Sequence, residues 1–266
     1  MRFDGKVGLV TGAGSGIGRA TAMGFASRGG AIAVTDVDGD NANRVAAEIR
    51  TAGGKALAIV ADVTRPADIE MMITRAANEF GRLDFLHNNA FGFPPSIRDR
   101  GPAARVVDTD DEVWSYTLEV GLTAVYRAIK RAIPVMRTNR GGAIVNTASI
   151  SGLRADYGIG AYNAAKAGVI NLTRVVAVEY ARDGIRCNCI CPGAINTPGL
   201  APALAQPGFG DRFREAIPMG RLGKPEEMAN VILFLASDQA SFVTGAAFVA
   251  DGGQTAKTGS PSFLPE

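Results

Sequence analysis

Apolar and polar positions alternate in two rhythms along this chain. Short apolar runs at 7–11, 31–36, 55–61, 83–88, 143–149, 185–190 and 246–250 have the length and the turn-forming flanks of strands. Longer stretches at 16–28, 41–52, 66–80, 111–136, 157–181 and 225–236 repeat their apolar residues every three or four positions, which predicts amphipathic helices. Regular strand–helix alternation implies an α/β fold: a parallel sheet with helices on both faces, joined by right-handed crossovers. Neither an internal repeat nor a domain linker interrupts the sequence, so one domain over 1–266 is expected. Two segments break the rhythm. One, 91–110, is rich in Pro, Gly and Arg; the other, 198–210, holds Pro198, Pro202, Pro207 and three glycines. Both follow strands on the carboxyl side of the sheet, where open α/β folds bind ligands. The second, taken as 198–213, is expected to form a substrate lid, and 255–266 an irregular tail.

Composition adds mainly exclusions. With 266 residues, 47% hydrophobic and 20% charged, the chain is long enough to bury a full core. Its net charge of +2 is scattered, without a basic stripe, so neither nucleic acid nor a membrane surface is an expected partner. The N-terminal apolar run is too short and too punctuated by glycine for a signal peptide or a membrane span, which makes the cytoplasm the expected compartment. Cys187, Cys189 and Cys191 stand at alternate positions of one predicted strand. They read as one buried face rather than a metal or redox cluster. The only histidine, His87, lies in an apolar run, which excludes a multi-histidine metal site; no metal is expected.

Chemistry enters with the turn Thr11-Gly12-Ala13-Gly14-Ser15-Gly16-Ile17-Gly18, between the first strand and the first helix. Glycines there let the backbone approach a pyrophosphate, and the helix N-terminus presents free N–H groups to the anion. Asp36 ends the second strand, where an acid can bind both hydroxyls of an adenosine ribose and would repel a 2′-phosphate. Neither Ser15 nor Val37 supplies a compensating cation, so NAD is expected over NADP. The competing reading of Asp36 is a helix N-cap within Asp36-Val37-Asp38. Farther along, Tyr162 and Lys166 are four residues apart on one helix face. An ammonium beside a phenol lowers its pKa by ~1–3 from about 10, toward the range of a useful general acid or base. Taken alone, the pair could equally be a packed tyrosine near a solvated lysine.

From 5 to about 253 the sequence resembles the short-chain dehydrogenase/reductase family. The glycine turn opens the match; Asp62-Val63 is similar to the pair that contacts the adenine, and Asn88-Asn89-Ala90 to the N-N-A-G motif after the fourth strand. Ser149 stands thirteen positions before Tyr162, the family's spacing, and Tyr162 with Lys166 forms Y-x-x-x-K. Pro192-Gly193-Ala194-Ile195-Asn196-Thr197 resembles the loop that binds the nicotinamide carboxamide through Ile195 and Thr197. The segment 218–227, Thr244-Gly245 and Asp251-Gly252-Gly253 resemble the C-terminal signatures. The resemblance implies a single Rossmann domain with about seven parallel strands in the order 3-2-1-4-5-6-7. It implies a homotetramer as well, to which the small residues of the helices at 111–136 and 157–181 would be suited.

Two positions depart from the family pattern. Phe91 replaces the last glycine of N-N-A-G. Gly121, in Val120-Gly121-Leu122-Thr123, stands where an asparagine usually holds a helix irregularity and a water that relays protons to the lysine. Glycine permits the irregularity but carries no amide.

The reaction that the resemblance implies is interconversion of a secondary alcohol and a ketone with NAD. Tyr162 would be the general acid/base, Lys166 would lower its pKa and hold the nicotinamide ribose, and Ser149 would orient the substrate oxygen. The substrate walls are expected from Phe91, Phe93, Ile150, Ser151, Leu153, Arg154 and the lid. They favour a bulky, cyclic or aromatic alcohol or ketone; Arg98, Arg100, Arg105 and Arg154 leave an anionic group open. The alternatives are an NADPH-linked 3-oxoacyl reductase and, in another class, a nucleotide-binding scaffold or sensor with weakened catalysis.

Overall fold

The computed structural model describes residues 1–97, 101 and 103–258. Seven strands form one parallel sheet: β1 Val7–Thr11, β2 Ala31–Asp36, β3 Lys55–Val60, β4 Phe85–Asn88, β5 Gly142–Thr147, β6 Ile185–Pro192 and β7 Ala247–Ala250. Their order is β3-β2-β1-β4-β5-β6-β7, as expected, and every pairing is parallel. The helices are α1 Gly16–Ala26, α2 Gly39–Thr51, α3 Pro66–Phe80, α4 Asp111–Leu118, α5 Ala124–Thr138, α6 Gly160–Tyr180, α7 Ala201–Leu204, α8 Phe209–Ala216 and α9 Pro225–Ala236.

Strand periodicity divides the core into two layers. Val7 and Leu9 of β1, Leu86 of β4, Ile144 of β5 and all three cysteines of β6 face the layer under α3, α5 and α6. Val10, Phe85, Val145 and Ile190 face the opposite layer, under α1, α2 and α9. The cysteines are therefore packing residues, free and fully buried. Burial pushes the Cys187 thiol up to about 12.

Local chemistry sets most boundaries. Pro66 opens α3, and Gly81, at φ 80°, ends it in the left-handed conformation. The Asp38 carboxylate accepts the Asn41 N–H and caps α2. The helix expected over 111–136 is not continuous. A π-helical turn, Glu119–Thr123, separates α4 from α5 and places Gly121 at its middle. The segment expected as a lid carries two short helices, α7 and α8. Among the described residues, no helix is long and apolar enough to cross a membrane. Arg98, Arg100 and the tail beyond 258 lie outside the described residues.

Candidate active site

The carboxyl ends of β1, β2, β4, β5 and β6 meet along one edge of the sheet. At β1 the glycine turn packs on itself. Gly12 and Gly16 have φ of 62° and 52°, and a Cβ on Gly18 would lie 2.2 Å from the Gly12 carbonyl oxygen. The Thr11 hydroxyl accepts the N–H groups of Asn89 and Ala90 at 3.0 and 3.1 Å, and the Asn89 amide donates to the carbonyls of Thr11 and Gly12. Asn89 and Ala90 thus brace the turn from β4. Ser15 precedes α1 without a capping side-chain bond, and the first turn of α1 carries no acid. The exposed N–H groups there suit an anion.

Asp36 is tied to that turn. Its Oδ2 accepts the Gly14 N–H at 2.8 Å and its Oδ1 the Asp38 N–H at 3.0 Å. The helix N-cap is Asp38, so the N-cap reading of Asp36 falls. Arg44 of α2 also reaches the turn and donates to the Gly14 carbonyl at 2.9 Å, a contact that no motif spacing disclosed. Its charge is answered by Glu48, which it meets at 2.7 Å. Asp62 holds the N–H and hydroxyl of Thr64 with one carboxylate oxygen, while Val63 packs against the core. After β6, Gly193 donates to the Ala250 carbonyl, and Ile195 is buried and bridged to Gly223. The Thr197 methyl lies 3.3 Å from the place of a Gly16 Cβ, so this loop closes against the turn. A nicotinamide dinucleotide fits these residues: bare backbone for the pyrophosphate, an acid for the ribose diol, and a loop from Pro192 to Thr197 at the far end.

Ser149, Tyr162 and Lys166 come together beside that loop. Ser149 starts the 3₁₀ turn Ile150–Gly152, and its hydroxyl accepts the Ser151 N–H at 3.1 Å. That turn lies directly on α6. A Cβ at Gly152 would sit 2.6 Å from the Lys166 carbonyl carbon, so the close approach requires glycine. Lys166 is buried, and its Nζ donates to the Thr147 carbonyl at 2.8 Å. Desolvation lowers its pKa to about 8. The expected depression of the Tyr162 pKa is absent from this arrangement. Burial raises it, the Ser149 hydrogen bond opposes that rise, and the Asp156 charge adds to it. The physical reason is that Lys166 Nζ is turned to Thr147 and lies 5.6 Å from the Tyr162 ring centroid, not against the phenol oxygen.

Both departures from the family pattern occupy one place. A Cβ on Gly121 would meet Phe91 Cε2 at 3.3 Å and the Ala165 Cβ at 3.0 Å. The Phe91 ring fills the space above the π turn, with Lys166 Nζ 5.0 Å from its centroid. It also meets Tyr162 edge-on at 4.9 Å and Phe93 at 5.1 Å. Phe91 and Phe93 therefore form an aromatic wall beside Tyr162. Ile150 and Ser151 are buried next to Ser149, whereas Leu153 packs into the core and Arg154 and Arg105 are exposed. In the segment expected as a lid, Phe209 and Phe213 of α8 meet edge-on at 5.1 Å. Thr147, Gly152 and Asp156 contribute to the site without having been singled out in the sequence. The polar loop after Ser149 was the available signal for Asp156, while a backbone acceptor such as Thr147 leaves none.

Sheet order, glycine cradle and the Ser–Tyr–Lys cluster together define the Rossmann class of dinucleotide-binding oxidoreductases. The profile described as Enoyl-(Acyl carrier protein) reductase matches residues 12–255. The cyclohexanol dehydrogenase of Acinetobacter sp. (strain SE19) is 42% identical over 264 residues, which cover 96% of this chain and 97% of that one. The cis-4-hydroxycyclohexanecarboxylate dehydrogenase of Sinomonas cyclohexanicum is 44% identical over 254 residues, covering 96% and 98%. Among solved structures, a 7α-hydroxysteroid dehydrogenase complexed with NADH and 7-oxo-glycochenodeoxycholic acid is similar with a TM-score of 0.88. Its identity is 32%, over 95% of each chain. The chain belongs to the short-chain dehydrogenase/reductase family, whose members use a nicotinamide cofactor.

Proposed function

We propose that this protein is an NAD-dependent dehydrogenase that interconverts a secondary alcohol and a ketone. The observation that carries the reading is the convergence of Ser149, Tyr162 and Lys166 at the sheet edge that also holds the glycine cradle and Asp36. Bound NAD would supply the hydride acceptor, which no side chain can provide. Tyr162 takes the hydroxyl proton of the alcohol, or returns it to the forming alcohol in the opposite direction. Such a group is typically worth about 10²–10⁴ in rate. Ser149 donates a hydrogen bond to the substrate oxygen and fixes its orientation. Lys166, now held by the Thr147 carbonyl, binds the nicotinamide ribose and favours the phenolate once its ammonium turns toward them.

Gly12, Ser15, Gly16, Ile17 and Gly18 line the pyrophosphate, Asp36 takes the adenosine ribose, and Asp62 and Val63 flank the adenine. Asn89 and Ala90 run along the cofactor; Pro192, Gly193, Ile195 and Thr197 hold its carboxamide end. Asp36 supports NAD over NADP, because its carboxylate repels a 2′-phosphate and the nearby Arg44 is already paired with Glu48. The Phe91–Phe93–Tyr162 wall supports a cyclic or otherwise bulky apolar substrate, in line with the names of the two relatives. One catalytic domain with a lid over 198–213 is the matching organisation. A homotetramer is supported by Val175 and Val178, exposed on the outer face of α6, and Tyr126 on α5.

The test is NADH formation at 340 nm on a panel that contains cyclohexanol, 2,3-butanediol and a hydroxysteroid, run with NAD and with NADP. Activity on a cyclic alcohol with NAD preferred is the expected result. Preference for NADPH with a 3-oxoacyl thioester would replace the reading. Binding of NAD without turnover of any alcohol or ketone would favour a nucleotide sensor.

A further inference from the structure

An alcohol oxidation leaves a proton on Tyr162 at every turnover, and that proton has to reach water. The reading above is assumed here. On the Lys166 side no side chain offers a relay: the ammonium is buried against the Thr147 carbonyl, the Phe91 ring lies over it, and position 121 has no side chain. On the other side a line of hydroxyl groups leads out. The Ser149 hydroxyl neighbours the Tyr162 phenol and donates to Ser151 Oγ at 3.0 Å; Ser151 Oγ donates to Asp156 Oδ2 at 2.5 Å. Both serines are buried, whereas Asp156 is exposed. From Ser149 outward this buried hydroxyl pair is a connected hydrogen-bonded path that ends on a solvated carboxylate.

We propose that Asp156 is the proton outlet of the active site, reached from Tyr162 through Ser149 and Ser151. In oxidation, once the Ser149 O–H has turned from the substrate oxygen back to Ser151, the Tyr162 O–H passes its proton to Ser149 Oγ, the Ser149 proton passes to Ser151 Oγ, and the Ser151 proton passes to the Asp156 carboxylate. Three O–H bonds break and three form; both serines end neutral, Tyr162 is again phenolate, and the Asp156 acid releases the proton to water. The electron pair of the reaction leaves separately, with the carbon-bound hydrogen, to the oxidised nicotinamide. Ketone reduction runs the line backward. The ionisable groups facing it are Tyr162 and Lys166 of α6 and Cys191 of β6. Arg154 and Tyr157 share the Asp156 loop, and Arg105 lies on the segment whose Ala104 pairs with Ile159. Asn163 fixes the loop by donating to the Asp156 carbonyl at 2.9 Å.

Ser151 and Asp156 act through Ser149 and do not touch the reacting atoms, so the test must separate proton release from folding. Stopped-flow NADH formation would be followed with the panel alcohol that wild type oxidises fastest, beginning with cyclohexanol. Asp156→Asn and Ser151→Ala should leave the first-turnover burst of NADH intact and slow the steady turnover that follows at least ~10-fold, part of the about 10²–10⁴ that acid–base assistance supplies. The alcohol KM should stay near wild type. Ser151→Thr, which keeps the hydroxyl, should retain the rate, and added formate or imidazole should restore Asp156→Asn in proportion to its concentration. Wild-type rates in both variants, or a loss that neither buffer rescues, would overturn the outlet while leaving the dehydrogenase reading in place. A wild-type enzyme inert toward the whole panel would overturn both.

Discussion

The ring of Phe91 stands over Gly121, with Cε2 3.3 Å from the point that a Cβ at position 121 would occupy. Each residue is the reason the other fits. An asparagine at 121 would drive its amide into the ring, and a glycine at 91 would leave the π turn and Lys166 uncovered. The two departures from the family pattern are one substitution in physical terms, a polar side chain on the helix exchanged for an aromatic one on the loop.

Gly121→Asn alone should therefore be costly, since overpacking a filled site is worth about 1–3 kcal/mol. Phe91→Gly alone should also be destabilising, because it opens a cavity beside Lys166. Combined, the two should recover stability, with a coupling of roughly 0.5–3 kcal/mol, the range for residues in contact. Urea unfolding of the four proteins reads that coupling; additive effects would mean that the ring and the glycine are independent.

Asp36 should control cofactor choice. In the proposed cofactor site it offers a charged acceptor to the adenosine ribose, and hydrogen bonds to charged groups contribute about 1.5–3 kcal/mol. Asp36→Ala should lower kcat/KM for NAD by about 10- to 100-fold, that energy expressed as a rate ratio. It should raise kcat/KM for NADP, because the carboxylate that repels a 2′-phosphate is gone. Unchanged selectivity would remove Asp36 from the cofactor site.

His87 should make the fold acid-sensitive. It is fully buried on β4, pairs with Thr147 Oγ1 of β5 through Nε2 at 2.9 Å, and burial lowers its pKa from 6.5 to about 3. Between those values the unfolded chain binds a proton that the folded chain excludes. Stability is complete above about 6.5 and falls as the pH drops toward 3, with a limiting slope of about 1.4 kcal/mol per pH unit. Urea unfolding of wild type and His87→Gln at several pH values between 4 and 7 isolates the effect. The stability difference between them should shift with pH in favour of the variant as acid is added; a constant difference would contradict the assignment.

Much of this architecture was legible in the chain. Strands such as Val7–Thr11 and Ala31–Asp36, and the helix Pro66–Phe80, follow directly from apolar period, proline and glycine. The π turn was not legible in the hydrophobic spacing, which is that of the flanking helices; only the family resemblance at Gly121 pointed to an irregularity there. The candidate site was legible where a motif has fixed spacing, as in Tyr162 and Lys166. It was hidden where a side chain acts through space: Arg44 on the glycine turn, Phe91 over Gly121, and Asp156 at the end of two serines. The direction of the Tyr162 pKa also escaped the sequence. Helical spacing places Lys166 near Tyr162 but does not say that its ammonium turns to the Thr147 carbonyl.

The central claim is that Tyr162 handles the proton, and Tyr162→Phe tests it most directly. The variant removes one hydroxyl and keeps the ring that Phe91 and Phe93 pack against. NADH formation from cyclohexanol, or whichever panel alcohol wild type prefers, should fall by at least ~10²-fold, the lower end of the general acid–base contribution. NAD binding by calorimetry should remain near wild type. A Tyr162→Phe enzyme that oxidises the alcohol at the wild-type rate would contradict the account.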